Sequence, residues 1–141
     1  MRIADVLRSK GTNVATVDPA ATVAELIGEL ASHNVGALPV VEGGQLVGIV
    51  SERDVVRRLH ADGPGLLEAR VGEIMMTGVT TCAPGDSVSD IAAVMTNRRF
   101  RHLPVVVDGK LAGIVSIGDL VKARIDLLES EREQLQSYIA G

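Results

Sequence analysis

The sequence is poor in residue types on which several classes of protein depend. Among its 141 residues, Phe100 and Tyr138 are the only aromatic side chains, and Cys82 is the only cysteine. With so few rings, stacking on the bases of single-stranded nucleic acid is disfavoured. A single cysteine excludes an internal disulfide and is typical of a reducing compartment, so we expect a cytoplasmic location.

Long apolar runs and an excess of positive charge are also missing. The N-terminal stretch MRIADVLRSKG lacks the apolar segment of a signal peptide, and no run approaches the length of a membrane span. The net charge of −4 argues against general binding to nucleic acid phosphates, although it leaves room for a small basic pocket. We therefore expect neither a membrane nor a nucleic acid partner.

What the sequence does contain is an internal duplication. Residues 14–59 align with residues 79–124 at a constant offset of 65, without a gap. The motif GIVSERD at residues 48–54 returns as GIVSIGD at residues 113–119. A repeat of this kind outranks any interpretation based on a single motif, because it indicates a duplicated structural unit.

The segments around the two copies define the domain organisation. IADVL at residues 3–7 matches VGEIM at residues 71–75, but at an offset of 68, so the first copy carries three extra residues after this segment. The stretch between the copies contains a Gly-Pro-Gly sequence at residues 63–65, which is typical of a linker. The predicted units are repeat 1, a linker, repeat 2 and a C-terminal helical extension, at residues 1–62, 63–70, 71–124 and 125–141.

Each copy predicts the element order β-α-β-β-α. A short extended piece, residues 14–17 or 79–82, is followed by a capping box and an amphipathic helix. Two apolar runs then surround Gly-Gly at residues 43–44 or Asp-Gly at residues 108–109, which favour tight hairpins because these residues tolerate positive φ. A second helix follows. We expect an α+β fold, in which the two repeats pack as a pseudo-two-fold pair followed by a long C-terminal helix.

The repeated motif G-I-V-S-x-x-D has two interpretations. In the first, Ser51 with Asp54 and Ser116 with Asp119 form helix capping boxes, where the acid also complements the helix dipole. This interpretation needs no ligand, but it does not explain the glycine three residues before each serine. A glycine there would let another group approach the strand closely, which is the basis of the second, ligand-binding interpretation.

The second copy adds two basic residues directly before a predicted buried strand. Arg101 and His102 are either solvated loop residues or a phosphate clamp, in which arginine supplies a bidentate fork and histidine a further donor. The amides at the start of the helix after Ser116 would add partial positive charge. A carboxylate repels phosphate but accepts hydrogen bonds from sugar hydroxyls, so Asp119 fits a ribose. Together these residues describe a nucleotide pocket.

The IADVL and VGEIM starts, the ALPVV and HLPVV strands and the two GIVSxxD ends jointly resemble a pair of CBS domains, also called a Bateman module. The resemblance covers nearly the whole chain. It implies clefts between the repeats that bind adenosine-type ligands, with the motif aspartate on ribose, the serine on phosphate, and adenine near the first strand of a repeat. The residues that it implies are Ser116 and Asp119 for one site, Ser51 and Asp54 for the other, and the surroundings of Thr16 and Thr81 for adenine.

The two copies are not equivalent as sites. In place of Arg101 and His102 the first copy has Gly36 and Ala37, so it lacks the matching phosphate clamp, although Arg53 would supply a charge from within the motif. We therefore predict that a phosphorylated ligand binds at the second-repeat motif.

These features predict a stand-alone regulatory module that binds an adenine nucleotide (AMP, ADP or ATP, with S-adenosylmethionine as a further ligand) and signals to an unidentified protein. The alternative is a structural or protein-interaction module with vestigial pockets. We do not expect an enzyme, because no histidine stands beside either motif serine in the sequence. We also expect no metal or cofactor, since the three histidines and one cysteine lack metal-ligand spacing.

The C-terminal segment carries an apolar stripe with spacings of 4, 3, 4, 3 and 4 residues, which is typical of a coiled-coil seam. The resemblance implies a homodimer, and we predict that this helix crosses to the second subunit. The stripe would also suit a helix folded back on its own module, and the charged arginine within it weakens the coiled-coil interpretation. The stripe consists of Val121, Ile125, Leu128, Arg132, Leu135 and Ile139.

Overall fold

The two sequence repeats form two similar sets of helices and strands, which confirms the predicted α+β fold. A computed structural model describes residues 1–140, and Gly141, the last residue of the predicted extension, lies outside the described residues. The first set consists of α1 (Ile3–Lys10), α2 (Val23–His33), β1 (Ala37–Glu42), β2 (Gln45–Ser51) and α3 (Glu52–Asp62). After a 3₁₀ turn at Pro64–Glu68, the second set consists of α4 (Val71–Ile74), α5 (Val88–Arg98), β3 (His102–Val107), β4 (Lys110–Ser116) and α6 (Ile117–Ala140).

The four strands form one sheet in the order β1-β2-β4-β3. Each repeat contributes an antiparallel hairpin, and the two hairpins meet where Gln45 of β2 pairs with Lys110 of β4. Both central residues of each turn have positive φ: 58° and 81° at residues 43–44, and 53° and 79° at residues 108–109. This is the backbone conformation that tight hairpins favour, so the turn prediction is confirmed.

Pro39 and Pro104 lie in β1 and β3, the two outermost strands. Their carbonyl oxygens accept hydrogen bonds from the backbone N–H groups of Val17 and Cys82, at 3.1 and 3.0 Å. Within a strand the N–H and C=O of one residue point to the same side, so each proline places its missing donor at the outer edge of the sheet. The extended pieces predicted at residues 14–17 and 79–82 therefore pair with the sheet only as isolated bridges.

The hydrophobic core has two parts, and each part combines segments from both repeats. The cluster under β3 and β4 includes Ile3, Val6 and Leu7 of α1, although α1 belongs to the first repeat. The cluster under β1 and β2 likewise includes Val71 and Ile74 of α4, which begins the second repeat. Because each leading helix packs against the opposite repeat, the burial of its apolar face joins the two repeats.

The C-terminal helix α6 is continuous for 24 residues and mostly exposed. Leu120 is buried at its start, whereas Val121, Leu128 and Ile139 are 51%, 49% and 79% exposed. The predicted boundary at residues 124/125 lies within this helix. None of the helices in residues 1–140 combines the length and apolar character that crossing a membrane requires.

Candidate functional site

A cleft of about 500 Å³ opens where the first-repeat motif faces the start of the second hairpin. Ser51, Arg53 and Asp54 line it at the start of α3, and Arg101 and His102 line it at the start of β3. This volume is in the range of small-molecule sites. A second hollow of about 380 Å³ between α2 and α3 is lined mainly by aliphatic side chains, so the first cleft is the candidate site for a polar ligand.

The cleft is basic, although the chain carries a net charge of −4. Five arginines line it against two carboxylates, Glu52 and Asp54, which leaves an excess of three positive charges. Burial lowers the pKa of His102, and the Lys10 ammonium lowers it further, so this imidazole is mostly neutral at pH 7. A concave surface with one sign of charge concentrates ligands of the opposite sign. The arginines are Arg53, Arg57, Arg98, Arg99 and Arg101.

The first-repeat motif begins α3 with a complete capping box. The Asp54 backbone N–H donates to Ser51 Oγ at 3.2 Å, and the Ser51 backbone N–H donates to Asp54 Oδ2 at 2.8 Å. Ser51 Oγ also donates to Oδ2 at 3.0 Å. All the hydrogen bonds that the Asp54 carboxylate accepts go to Oδ2, and Oδ1 accepts none from the described residues. Asp54 can therefore hold the helix start and still accept a hydrogen bond from a ligand hydroxyl.

The second-repeat motif has the same box but an additional partner. The Asp119 backbone N–H donates to Ser116 Oγ at 3.0 Å, and the Ser116 N–H donates to Asp119 Oδ2 at 2.9 Å. Lys10 Nζ, at the end of α1, donates to the same Oδ2 at 2.6 Å and to the Ile114 carbonyl oxygen at 2.8 Å. Burial alone would raise the pKa of Asp119, but the hydrogen bonds from Lys10 and Ser116 outweigh it and hold the pKa below its ordinary value.

The glycine of each motif is approached closely by another segment of the chain. A Cβ at Gly48 would lie 2.8 Å from the Met76 carbonyl oxygen, and one at Gly113 would lie 2.8 Å from Leu7 Cδ2. Met76 is fixed beside β2, because its backbone exchanges hydrogen bonds of 2.8 and 3.0 Å with Ile49. The close approach expected at these glycines is therefore present, and it serves the packing of the leading segments on the sheet.

Only some of the predicted site residues line the cleft, although His102 pairs with Ser116 across β3 and β4. Ser116 and Asp119 are not among the described residues that line the cleft, and neither are Thr16 and Thr81, which are exposed. A ligand site built on the second-repeat motif stays a prediction. The physical reason for the division is that the pseudo-two-fold pair places the start of one hairpin opposite the helix start of the other repeat. The predicted residues that the cleft brings together are Ser51, Arg53, Asp54, Arg101 and His102.

Sequence reasoning missed further polar residues of the cleft, among them Arg57, Thr80, Arg98 and Arg99. Arg98 Nη1 donates to Thr80 Oγ1 at 3.3 Å, which ties the end of α5 to the segment before it. Arg99 ends α5 in the left-handed conformation, with φ of 59°, and the chain turns there toward β3. The basic run at residues 98–101 was an available signal. So was the three-residue spacing of Arg57 from the motif aspartate, which places both on one helix face.

Cysteine and metal chemistry give no competing site in the described part of the chain. Within residues 1–140, no group of three or more His, Cys, Asp or Glu side chains is arranged to hold a metal ion. Burial raises the pKa of the Cys82 thiol to about 11, and nearby Asp86 contributes to this rise. Because the thiolate is the reactive form, such a buried, protonated thiol is inert.

The comparison with protein families identifies the class of protein. The family model described as "CBS domain" matches residues 3–61 and, a second time, residues 71–126. These matches cover both repeats, so the chain belongs to the CBS domain family and contains a CBS pair. The predicted resemblance is confirmed.

Individual relatives share both sequence and fold with this chain. It is 37% identical to the CBS domain-containing protein CBSX3, mitochondrial, of Arabidopsis thaliana, over 99% of this chain and 72% of that protein. Its structure is similar to that of the CBS-domain protein ATU1752 from Agrobacterium tumefaciens, with a TM-score of 0.83 and 39% identity over 88% and 99% of the two chains. It is also similar to the crystal structure of CBSX2 in complex with AMP, with a TM-score of 0.76 and 28% identity over 89% and 97%.

Proposed function

We propose that the chain is a regulatory CBS pair that binds an adenine nucleotide in the basic cleft and signals its presence to a partner protein. The observation that carries the proposal is the meeting of a motif aspartate, Asp54, with five arginines in one cleft of about 500 Å³. Further support comes from CBSX2, a structural relative crystallised with AMP. The proposal uses the first-repeat motif, because Arg101 and His102 line the cleft together with that motif.

The cleft offers a separate group for each part of such a ligand. Asp54 would accept hydrogen bonds from ribose hydroxyls through Oδ1. Arginines from two elements, such as Arg57 and Arg101, would bind phosphate oxygens, for which guanidinium geometry is suited. Ile49 and Val79 supply apolar surface on which a base can rest. ADP, ATP and S-adenosylmethionine, the other predicted ligands, would bind to the same groups. The arginines favour those ligands that carry phosphate.

Titration of ligand-free protein with AMP tests this function. At 100 times its dissociation constant a ligand stabilises the folded state by about 2.7 kcal/mol, which gives a measurable rise in melting temperature. The variant Asp54→Asn keeps an oxygen for the capping N–H but removes the charge. We expect it to weaken AMP by roughly one to two orders of magnitude, since a charge-assisted hydrogen bond contributes about 1.5–3 kcal/mol.

The control compounds decide between the proposal and its alternative. Adenosine, which lacks phosphate, should bind much more weakly than AMP and should still respond to Asp54→Asn. If neither calorimetry nor melting detects AMP, ADP, ATP or S-adenosylmethionine, the nucleotide proposal fails. The remaining function would then be that of a structural or protein-interaction module with vestigial pockets.

The proposal also includes a homodimer. The apolar stripe of α6 is largely exposed along the chain's own surface: Ile125 and Leu135, for example, are 49% and 61% exposed. A helix folded back on its own module would bury these side chains, so their exposure favours a second copy as the partner surface. Too few heptads are present for the tail to dimerise alone, so contacts between the CBS pairs should supply most of the association.

Removal of the residues after Lys122 tests the tail's part in this dimer. We expect light scattering to show a dimer for the intact chain and a weaker, more readily dissociated dimer for the truncated chain. Circular dichroism of the truncated protein provides the check on folding. A monomer of the intact chain at tens of micromolar would contradict the dimer, whereas an unchanged dimer after truncation would contradict only the role of α6.

A reducing compartment is the last part of the proposal, and we propose the cytoplasm. Its support is Cys82, a free thiol that is buried in the core cluster under β3 and β4 rather than paired. The regulated partner would recognise a difference between the empty and the nucleotide-bound cleft, as any ligand-driven signal requires a difference in affinity between two states.

A further inference from the structure

The two motifs are related by the repeat, yet their aspartates have different surroundings. In both aspartates the internal hydrogen bonds use Oδ2, and Oδ1 accepts none from the described residues. The difference is that Asp54 lines the open cleft, whereas Asp119 does not. Asp119 is ion-paired with Lys10, whose Nζ lies 2.6 Å from Oδ2. An internal cation therefore sits on one motif carboxylate, at the group that a ribose would contact according to the family resemblance.

The source of this cation is a difference in length between the copies. Six residues, 8–13, separate Leu7 from Val14 in the first copy, whereas three residues, 76–78, separate Met75 from Val79 in the second. Helix α1 accordingly continues to Lys10, while the related helix α4 ends at Ile74. The extra helical turn carries Lys10 to the second-repeat motif, and the shorter connection has no equivalent turn.

The two connections also satisfy corresponding backbone groups in different ways. Ile49 and Ile114 are related by the offset of 65. The Ile49 carbonyl accepts the Met76 backbone N–H at 2.8 Å, whereas the Ile114 carbonyl accepts Lys10 Nζ at 2.8 Å. A backbone N–H has a single hydrogen to donate, but an ammonium has three, so Lys10 reaches the carbonyl and the motif carboxylate together.

We propose that Lys10 is a built-in occupant of the second-repeat motif: its ammonium neutralises Asp119 and fills the space beside the carboxylate, and this limits the chain to one nucleotide. This inference rests on the proposed function, because it assumes that an open motif aspartate binds a nucleotide. It explains why a duplicated motif need not give two sites. The shorter connection leaves Asp54 accessible from the cleft, whereas the longer one places Lys10 on Asp119.

A purely structural ion pair is the simpler alternative, and it has a different consequence. Partly exposed pairs contribute roughly 0–1 kcal/mol to stability, and Lys10 and Asp119 are 36% and 27% exposed. If Lys10 only fastened α1 to the sheet, its removal would change the melting temperature slightly and leave the number of ligand sites unchanged. The number of bound nucleotides therefore separates the two roles.

Calorimetric titration with AMP on the ligand-free full chain measures that number. We expect one AMP per chain for the wild type and two for Lys10→Ala. The matched control Lys110→Ala removes the same charge from an exposed position at the start of β4 and should keep one site. Asp119→Asn added to Lys10→Ala should return the stoichiometry to one, which assigns the gained site to the second-repeat motif. If Lys10→Ala has a strongly reduced melting temperature, Lys10→Ser is a second variant that removes the ammonium from Asp119.

Each pattern of results has a definite meaning. Two sites in the wild type, or one site in both the wild type and the Lys10 variants, would overturn the role of Lys10 and leave the proposed function intact. No site in the wild type but one in Lys10→Ala would support the role of Lys10 and contradict binding at the first-repeat motif. No binding by either protein would overturn both proposals.

Discussion

Alanine at both Arg57 and Arg101 is expected to weaken AMP binding by about two orders of magnitude or more. The two side chains line the cleft from different segments: Arg57 lies in α3, and Arg101 directly precedes β3. Two hydrogen bonds to charged groups contribute roughly 3–6 kcal/mol together, and solvent screening of these exposed side chains reduces that figure. Dissociation constants for AMP and adenosine, measured by calorimetry on ligand-free protein, give the result.

The matched control is the double variant Arg58→Ala with Arg124→Ala. It removes the same charge, but neither residue lines the cleft, and Arg58 is ion-paired with Asp62 at 3.3 Å. We expect AMP binding to remain nearly unchanged in this control. Adenosine binding should remain nearly unchanged in both the control and the Arg57/Arg101 double variant. The difference between the variants should shrink as salt is added, because screening weakens the charge interaction. Equal losses of AMP and adenosine would contradict a phosphate role for Arg57 and Arg101.

The local structure of the repeats could be predicted from sequence because it depends on short-range patterns. The constant offset between residues 14–59 and 79–124 predicts that whatever one copy forms, the other forms too. The hairpin turns depend on adjacent glycine or aspartate residues, and the helix starts depend on a serine and an aspartate three residues apart. The capping box at Ser51 and Asp54 is present in full for this reason.

The composition of the cleft could not be predicted in the same way, because it depends on how the two copies face each other. Sequence adjacency of Arg101 and the second hairpin favoured a site with Ser116 and Asp119. In the structure, Arg101 also lies across from Ser51 and Asp54 of the other repeat. An alignment offset carries no information on which motif a loop faces, and it is least informative where the copies differ in length.

The packing of α1 and α4 against the opposite repeat could not be predicted from the sequence either. Ile3, Val6 and Leu7 show the spacing of a helix with one apolar face, but that face fits either core cluster in principle. The structure places them against β3 and β4. The motif glycines provided an indirect signal of this crossing, since each requires a neighbour close to the strand. The neighbours are α1 at Gly113 and the segment after α4 at Gly48.

Gly48→Ala is expected to destabilise the fold by about 2–3 kcal/mol, at the upper end of the usual cost of overpacking. The added Cβ would lie 2.8 Å from the Met76 carbonyl oxygen. That oxygen cannot withdraw easily, because it accepts the Ile49 backbone N–H at 3.0 Å and the Met76 N–H donates back to Ile49. Relief therefore requires a shift of the whole segment away from β2, with the loss of these hydrogen bonds.

Gly113→Ala is the matched variant, since the repeat places it at the corresponding position of β4. Its Cβ would meet Leu7 Cδ2 at 2.8 Å, which is the end of a side chain rather than backbone. A rotation of Leu7 gives room, and replacement of glycine reduces the entropy of the unfolded chain by about 0.4–1 kcal/mol, so we expect a net loss below about 1 kcal/mol. Urea denaturation should show a clearly lower midpoint for Gly48→Ala with an unchanged slope. Equal midpoints for the two variants would mean that the Met76 segment yields as readily as a side chain, and the hydrogen-bonded approach to β2 would not be what requires glycine at position 48.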